Sequence, residues 1–104
     1  MTTGFIKEAR HETMKVSYPA IFYEEKIGNY TVFFPDFQQV TCGDDLADAE
    51  FMAKDCLSLS ITIEKEDRHK IPKPTPIEDL DIHCIDSEDW EYVRSFVKMI
   101  EIDI

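Results

Sequence analysis

Residues 30–37, YTVFFPDF, form the centre of the stretch that decides the fold. The first five of them are β-branched or aromatic, and such residues fit a pleated, half-buried strand. Pro35 ends this run because a proline cannot donate a hydrogen bond to a central ladder. The sequence therefore predicts a strand over residues 30–34 that stops at the proline.

An earlier strand is predicted over residues 16–23, VSYPAIFY, where apolar residues alternate. One face of this strand carries Val16, Tyr18, Ala20 and Phe22. Pro19 has no backbone donor, so the strand should have a free side or a bulge there. The segment between the two strands is polar and contains Gly28-Asn29, a pair that tolerates positive φ, and this predicts a hairpin.

A short third strand is predicted over residues 39–42, followed by a helix from Leu46 to about Glu64. Asp45 suits the N-cap position because its carboxylate can accept the free amides of the first turn. Apolar or small residues recur at spacings of three and four on one side of this helix: Leu46, Ala49, Ala53, Cys56, Leu57, Ser60 and Ile63. A second apolar side, available for packing against another subunit, consists of Phe51, Met52, Leu59 and Ile61.

The chain after the helix has prolines at positions 72, 74 and 76, which predict an extended connection, and then an acidic segment. Alternating residues predict a final strand that begins near Tyr92 or Val93. The order of elements is thus β-β-β-α-β. Because a helix connects the last strand to the sheet, we expect that strand to run parallel to the first, with a right-handed crossover.

Four segments resemble, in order and spacing, the motifs of the HicB antitoxin family. They are YPAIF at 18–22, YTVFFPDF at 30–37, TCGDDLADA at 41–49 and IPKPT at 71–75. The resemblance covers residues 14–76, so we expect a single domain over 14–104, preceded by an N-terminal extension over 1–13. It implies an α+β fold similar to a trimmed ribonuclease-H-like sheet, with one main helix on one face and the strand order 3-2-1-4.

The charge balance of the chain favours some partners over others. The 11 Lys and Arg residues stand against 22 Asp and Glu residues, a formal net charge of −11. Such a chain repels phosphate backbones, whose binding rests on Lys and Arg, so direct nucleic-acid binding is not expected. A basic protein partner is favoured instead, since complementary charge speeds encounter. The alternative is that the acidity only keeps the domain soluble.

The sequence does not support catalysis, although a ribonuclease-H-like shape suggests nuclease chemistry with two metal ions held by carboxylates. Ala20-Ile21-Phe22 occupies the middle of the first strand, where such a carboxylate would be needed. His83 and Cys84 are adjacent, so on a strand they point to opposite faces and make no metal site. We therefore expect no enzyme activity, no cofactor and no metal.

By the resemblance, the chain would bind and neutralise a small basic mRNA-cleaving toxin of the HicA type. Such toxins have a double-stranded-RNA-binding-like fold and a catalytic histidine, and the antitoxin covers the RNA-binding face and the active site. We expect acidic side chains and aromatic anchors to make the contacts. The candidate partner-binding residues are Tyr23, Glu24, Phe33, Asp36, Phe37 and Asp44. Phe33 is expected to be an exposed aromatic on the face that the helix leaves open, and the alternative role of all six is to maintain the fold.

The sequence also departs from the fuller family pattern. Many such antitoxins carry a C-terminal helix-turn-helix or ribbon-helix-helix module, whereas this chain has only an acidic linker and one strand after Pro76, so direct DNA binding is not expected. The turn after the FPD motif is altered to Phe37-Gln38-Gln39-Val40. The alternative function is therefore an orphan homo-oligomeric scaffold, or an RNA-associated protein, with no toxin partner.

Location and assembly follow from weaker signals. No run of about 18 apolar residues and no secretory signal is present, which argues against a membrane span or export. The three cysteines are odd in number and widely spaced, which indicates reduced thiols in the cytoplasm. The second apolar side of the helix, together with Phe33, favours a homo-oligomer, most simply a dimer.

Overall fold

The computed structural model describes residues 14–87 and 90–104, so the expected extension over residues 1–13 lies outside the described residues. Four strands and one main helix follow in the order β1 (Lys15–Glu24), β2 (Tyr30–Phe34), β3 (Gln39–Gly43), α1 (Leu46–Glu66) and β4 (Arg94–Asp103). A single 3-10 turn, Ile77–Asp79, lies between α1 and β4. All four predicted strands and the predicted helix are therefore present, with boundaries that differ by one or two residues.

The strands form one antiparallel sheet in the order β3-β2-β1-β4, which confirms the predicted α+β class and strand order. The β1–β2 ladder extends from Ile21 to Glu24 on β1 and does not reach Pro19. On its other side, Pro19 lies opposite Met99 of β4. The proline is therefore placed where β2 no longer runs beside β1, and the free side that its missing donor predicts is present.

The main core lies between the sheet and α1. It consists of Tyr18, Ala20, Phe22, Tyr30, Val32, Phe34, Phe37, Ala49, Ala53, Leu57, Ile61 and Ile100. Leu46 and Ile63, which we expected on this side of the helix, are exposed instead, and Ile61 is buried. Ile61 follows Leu57 by four residues and shares its side of the helix, whereas Ile63 lies about 200° further round than Ile61.

The first turn of α1 is capped as the sequence predicts. The Asp45 carboxylate accepts a hydrogen bond from the Asp48 amide at 2.8 Å. The Asp48 carboxylate in turn accepts one from the Asp44 amide at 2.9 Å. The first bond satisfies an amide that a helix start leaves free, and the second ties the residue before the N-cap to the first turn. The negative charges complement the positive end of the helix dipole.

The C-terminus of α1 is closed by a non-glycine residue with positive φ, which follows the C-cap residue Asp67. Arg68 has φ 60°, and its amide donates to the Lys65 carbonyl at 3.1 Å. The next amide, that of His69, donates to the Glu64 carbonyl at 2.8 Å. This pair of bonds is the usual closure of a helix that ends in a left-handed residue, a position that glycine most often fills. The helix thus continues to Glu66, slightly beyond the predicted end.

The direction of β4 differs from the expectation. β4 runs antiparallel to β1, with Phe96 opposite Phe22, so the predicted parallel pairing is wrong. α1 returns the chain to the end of the sheet where β1 begins, but residues 67–93 then lead it to the opposite end. There the Val93 amide donates to the Glu24 carbonyl at 2.6 Å. The chain therefore enters β4 beside the last residue of β1, and residues 67–93 set its direction.

Gly43 allows α1 to start in direct contact with β3. A Cβ atom at this position would lie 2.3 Å from the backbone nitrogen of Ala49. Ala49 is itself fully buried and small, so the two backbones approach each other closely. The contact requires glycine because of space, and it sets the position of the first turn of the helix on the sheet.

We predict that Gly43→Ala lowers the free energy of unfolding by about 3 kcal/mol or more, because the added methyl group overlaps helix backbone that has no room to move. Gly28→Ala is the matched control. No atom lies within 4 Å of a Cβ there, and only its φ of 97° opposes the substitution, at about 1 kcal/mol. Urea unfolding measures both variants, and equal losses would contradict the role assigned to Gly43.

Candidate partner-binding site

Residues 67–87 and 90–93, called the connector here, lead from α1 to β4. Ile82, Ile85, Trp90 and Tyr92 of the connector cover the face of the sheet that α1 leaves open. Three tyrosine or aspartate side chains of the sheet and its turns hold the described part of this segment in place. The Tyr18 hydroxyl donates to the Pro72 carbonyl at 2.5 Å, and the Tyr23 hydroxyl donates to the Ile82 carbonyl at 2.7 Å. Asp36 accepts two hydrogen bonds from Thr75, from its amide at 3.1 Å and from its hydroxyl at 2.5 Å.

Tyr23 is the centre of a second, smaller core beneath the connector. Its ring meets those of Trp90 and Tyr92 edge-on, each with ring centroids 4.9 Å apart. Tyr23 is fully buried. Burial raises the pKa of its phenol well above the ordinary value, and nearby groups that include Asp86 and Asp81 raise it further. Tyr23 therefore serves the fold in this structure and has no free surface.

The prediction that Phe33 is an exposed aromatic is wrong. The side chain is 7% exposed and belongs to the same small core as Ile21 and Tyr23. The sheet face that α1 does not cover is covered by the connector instead. Phe37 is also buried, on the helix side of the sheet, where its ring packs edge-on against Tyr18 at 4.8 Å between centroids.

The three acidic candidates lie nearer the surface. Asp36 is half-buried, and both of its carboxylate oxygens are used by Thr75. Glu24 is also half-buried, and it accepts a hydrogen bond from the Arg94 side chain. Asp44 is exposed. Of the six candidate residues, Asp44 thus offers the freest side chain to a partner.

The six candidates do not form one continuous surface. Glu24 lies opposite Tyr30, and Tyr30 lies opposite Gly43, so Glu24 and Asp44 are at the same end of the sheet. Asp36 and Phe37 are in the turn between β2 and β3, at the other end. The remaining two, Tyr23 and Phe33, are beneath the connector. The candidate residues selected from the sequence therefore lie in three different regions of the structure.

A cleft that the sequence did not predict opens between the connector and the β2–β3 turn. It has a volume of about 300 Å³ and is lined by Phe33, Pro35, Gln38, Thr75, Asp79, Leu80, Asp81, Cys84 and Ile85. Gln38, at its edge, has φ 54° and donates from its side chain to the Pro35 carbonyl at 3.0 Å. Gln38 lies in the turn after the FPD motif, where the sequence departs from the family pattern. That departure was the one feature of the sequence that indicated an unusual backbone conformation at this place.

The histidine and the cysteine singled out as metal candidates have other surroundings. His83 contacts the Asp86 carboxylate through Nδ1 at 2.9 Å, and the Tyr92 hydroxyl donates to the same carboxylate at 3.0 Å. Burial raises the pKa of the Cys84 thiol, which disfavours the thiolate that binds metals. Within residues 14–87 and 90–104, no three His, Cys, Asp or Glu side chains come together as metal ligands. No helix in that part of the chain has the length and hydropathy needed to cross a membrane.

We predict that the bonds between Asp36 and Thr75 stabilise the fold measurably. Asp36→Ala should lower the free energy of unfolding by about 2 kcal/mol, because it leaves the Thr75 donors without their charged acceptor. Thr75→Val removes only the hydroxyl donor. A double-mutant cycle measured by urea unfolding should give a coupling of about 1 kcal/mol between the two positions. Additive losses would show that the contact contributes nothing of its own.

Tyr23 should make stability fall at alkaline pH. Its pKa is higher in the folded chain than in the unfolded one. Its contribution is therefore complete below the unfolded pKa of about 10 and is lost as pH rises above it. Urea unfolding between about pH 8 and 11 should show a shallower decline for Tyr23→Phe than for the wild type. Identical slopes for the two proteins would exclude Tyr23 as a source of the decline.

The sequence matches a family model described as the HicB_like antitoxin of bacterial toxin–antitoxin systems over residues 17–85. No curated protein matches the sequence significantly. Among solved structures, a chain of a toxin–antitoxin complex from Streptococcus pneumoniae is similar, with a TM-score of 0.75 and 29% sequence identity. The similarity covers 86% of this chain and 70% of that one. The match over β1 to the connector, together with the shared fold, shows that this chain belongs to the HicB-like family of antitoxins.

Proposed function

We propose that this chain is the antitoxin partner of a small basic HicA-type toxin and neutralises it by covering its RNA-binding face and active site. The observation that carries the proposal is the match to the HicB-like antitoxin family over residues 17–85. The net charge of −11 supports it, because an acidic surface competes with RNA for the basic face of a ribonuclease. The complex that contains the similar Streptococcus pneumoniae chain is in keeping with such a partner.

We propose the six candidate residues as contributors to this function in two ways. Asp44, whose side chain is exposed, would contact the toxin directly, and so would Glu24, which is half-buried beside Arg94 at the same end of the sheet. Tyr23, Phe33, Asp36 and Phe37 would act by holding the connector and the β2–β3 turn in the shape that the toxin meets. This division keeps the predicted residues and assigns each the role that its surroundings permit.

The action we propose is stoichiometric binding in the cytoplasm, without catalysis, on a sheet that we interpret as a trimmed ribonuclease-H-like fold. The homo-oligomer expected from the sequence stays a prediction. Of the two features behind it, Phe33 is covered within the chain, whereas the second apolar side of α1 is exposed at Phe51 and Leu59 and buried at Ile61. The toxin proposal does not depend on the oligomer, since one acidic surface per chain suffices to block one toxin.

The proposal predicts that the tagged chain, captured from its own cells at low salt, retains a small basic protein at near-equal stoichiometry. The purified partner should cleave RNA, and one equivalent of this chain should stop that cleavage. Because acidic residues drive the encounter, the association rate should fall severalfold between about 50 and 500 mM salt. Mass spectrometry, a cleavage assay and stopped-flow kinetics provide the three measurements.

The alternative, an orphan scaffold, predicts a different result from the same experiment. Only the chain itself would be captured, and its self-association would resist salt because apolar contacts are not screened. A captured basic protein whose RNA cleavage continues in the presence of excess chain would also contradict the antitoxin proposal.

A further inference from the structure

The side of α1 that faces away from the sheet carries a row of exposed side chains one turn apart. Phe51, Asp55, Leu59 and Ile63 follow one another at intervals of four residues and are all exposed. We call these four residues the outer row of α1. An interval of four keeps side chains on one side of a helix, so the row forms one continuous strip. Three of its four members are apolar, which is unusual for a helix side in water.

Phe51 is the strongest candidate anchor in this strip. Its side chain is 67% exposed, and every other aromatic residue in the described part of the chain is buried or half-buried. Transfer of an exposed phenylalanine ring from water into a partner favours association, because it removes apolar surface from water. Aromatic side chains are also enriched among the residues that contribute most to protein association. The expected aromatic contacts Tyr23 and Phe33 are covered, so Phe51 is the ring that remains free.

The surroundings of Phe51 are acidic. Asp48 precedes it by three residues and Asp55 follows it by four, so each neighbouring turn carries a carboxylate, and Lys54 is the one basic residue within four positions of Phe51. The exposed Asp44 and Asp45 add negative charge at the helix start. Within the described residues, none of these four carboxylates forms an ion pair with a Lys, Arg or His side chain. An apolar ring bordered by unpaired negative charge is complementary to an apolar pocket bordered by Lys and Arg.

Charge also separates the two possible occupants of this strip. A second copy of the chain would bring the same acidic surface against itself, and each copy carries a net charge of −11. Like charges placed opposite each other oppose association, whereas a basic partner gains from the same arrangement. The strip therefore fits a basic protein better than it fits a second copy.

We propose that the outer row of α1, with Phe51 as its anchor and Asp48 and Asp55 beside it, is a contact surface for the basic toxin partner. This inference rests on the proposed function and extends it to residues outside the predicted set. The strip adjoins Asp44, which lies at the start of the same helix, so the two form one acidic surface with an apolar centre.

The test uses the purified HicA-type toxin of the same cells, with its catalytic histidine replaced, and the full chain. Phe51→Ser should weaken binding at least 30-fold, measured by calorimetry. Met14→Ser is the matched control, since Met14 is exposed to the same extent as Phe51 and precedes β1 at the end of the sheet opposite to the start of α1. It should change the dissociation constant by less than 3-fold. Circular dichroism checks that both variants remain folded, which is expected because neither side chain is buried.

A second pair of variants tests the charge. Asp55→Asn should slow association severalfold and reduce its salt dependence, because it removes a carboxylate next to the anchor. Glu78→Gln removes the same charge from the exposed 3-10 turn, outside α1, and should have a smaller effect.

The outcomes separate this inference from the proposed function. Wild-type affinity in Phe51→Ser, with the toxin still neutralised, would overturn the contact surface and leave the antitoxin function standing. A wild-type dimer in light scattering that Phe51→Ser converts to a monomer would assign the strip to a second copy and also overturn it. The absence of any binding between the wild-type chain and the toxin would overturn the proposed function, and the contact surface with it.

Discussion

The structure depends on one constraint, which is that both faces of its central strand β1 are apolar and α1 covers only one of them. Phe22 lies beneath α1, while Ile21 and Tyr23 point to the other side. The connector covers that second side and is held there by the hydrogen bond from the Tyr23 hydroxyl to the Ile82 carbonyl. Because the connector must cross the whole length of the sheet to do so, it delivers the chain to the far end. The direction of β4, the burial of Phe33 and the exposure of α1 all follow from this crossing.

Local features of the sequence predicted the strands and the helix. The path of the chain between them depends on contacts between residues distant in sequence, which local features do not reveal. Pro35 and Gly28-Asn29 correctly marked the strand end and the hairpin, and Asp45 correctly marked the helix start. The path of the connector has no such marker, since its residues follow neither a helical nor an alternating pattern. Its apolar residues, such as Ile82 and Trp90, pack on the sheet without a regular spacing in the sequence. The antiparallel direction of β4 was therefore beyond what periodicity indicates.

For the candidate site, too, the sequence predicted some features correctly and could not predict others. Residues were chosen for their type and for the motif that they resemble, and both criteria favour aromatic and acidic residues whether or not they are exposed. Asp44 is exposed as a contact requires, whereas Asp36 proves to be tied to Thr75. The second apolar side of the helix was visible in the sequence, because helical spacing alone shows that Phe51 and Leu59 do not lie with the core residues. What spacing could not show is that the connector would cover Tyr23 and Phe33, so that Phe51 is the exposed aromatic ring among the described residues.

The pairing of β1 with β4 has a consequence for how the chain is made. Met14 and Ile104 exchange backbone hydrogen bonds, and Lys15 bonds to Asp103 across 88 positions of sequence. Contacts of such separation close slowly, because the chain must first lose the entropy of a long loop. During synthesis on the ribosome, β1 remains an unpaired edge until the final strand has emerged. A chain interrupted before β4 would present that open edge of β1 to other chains, which favours aggregation.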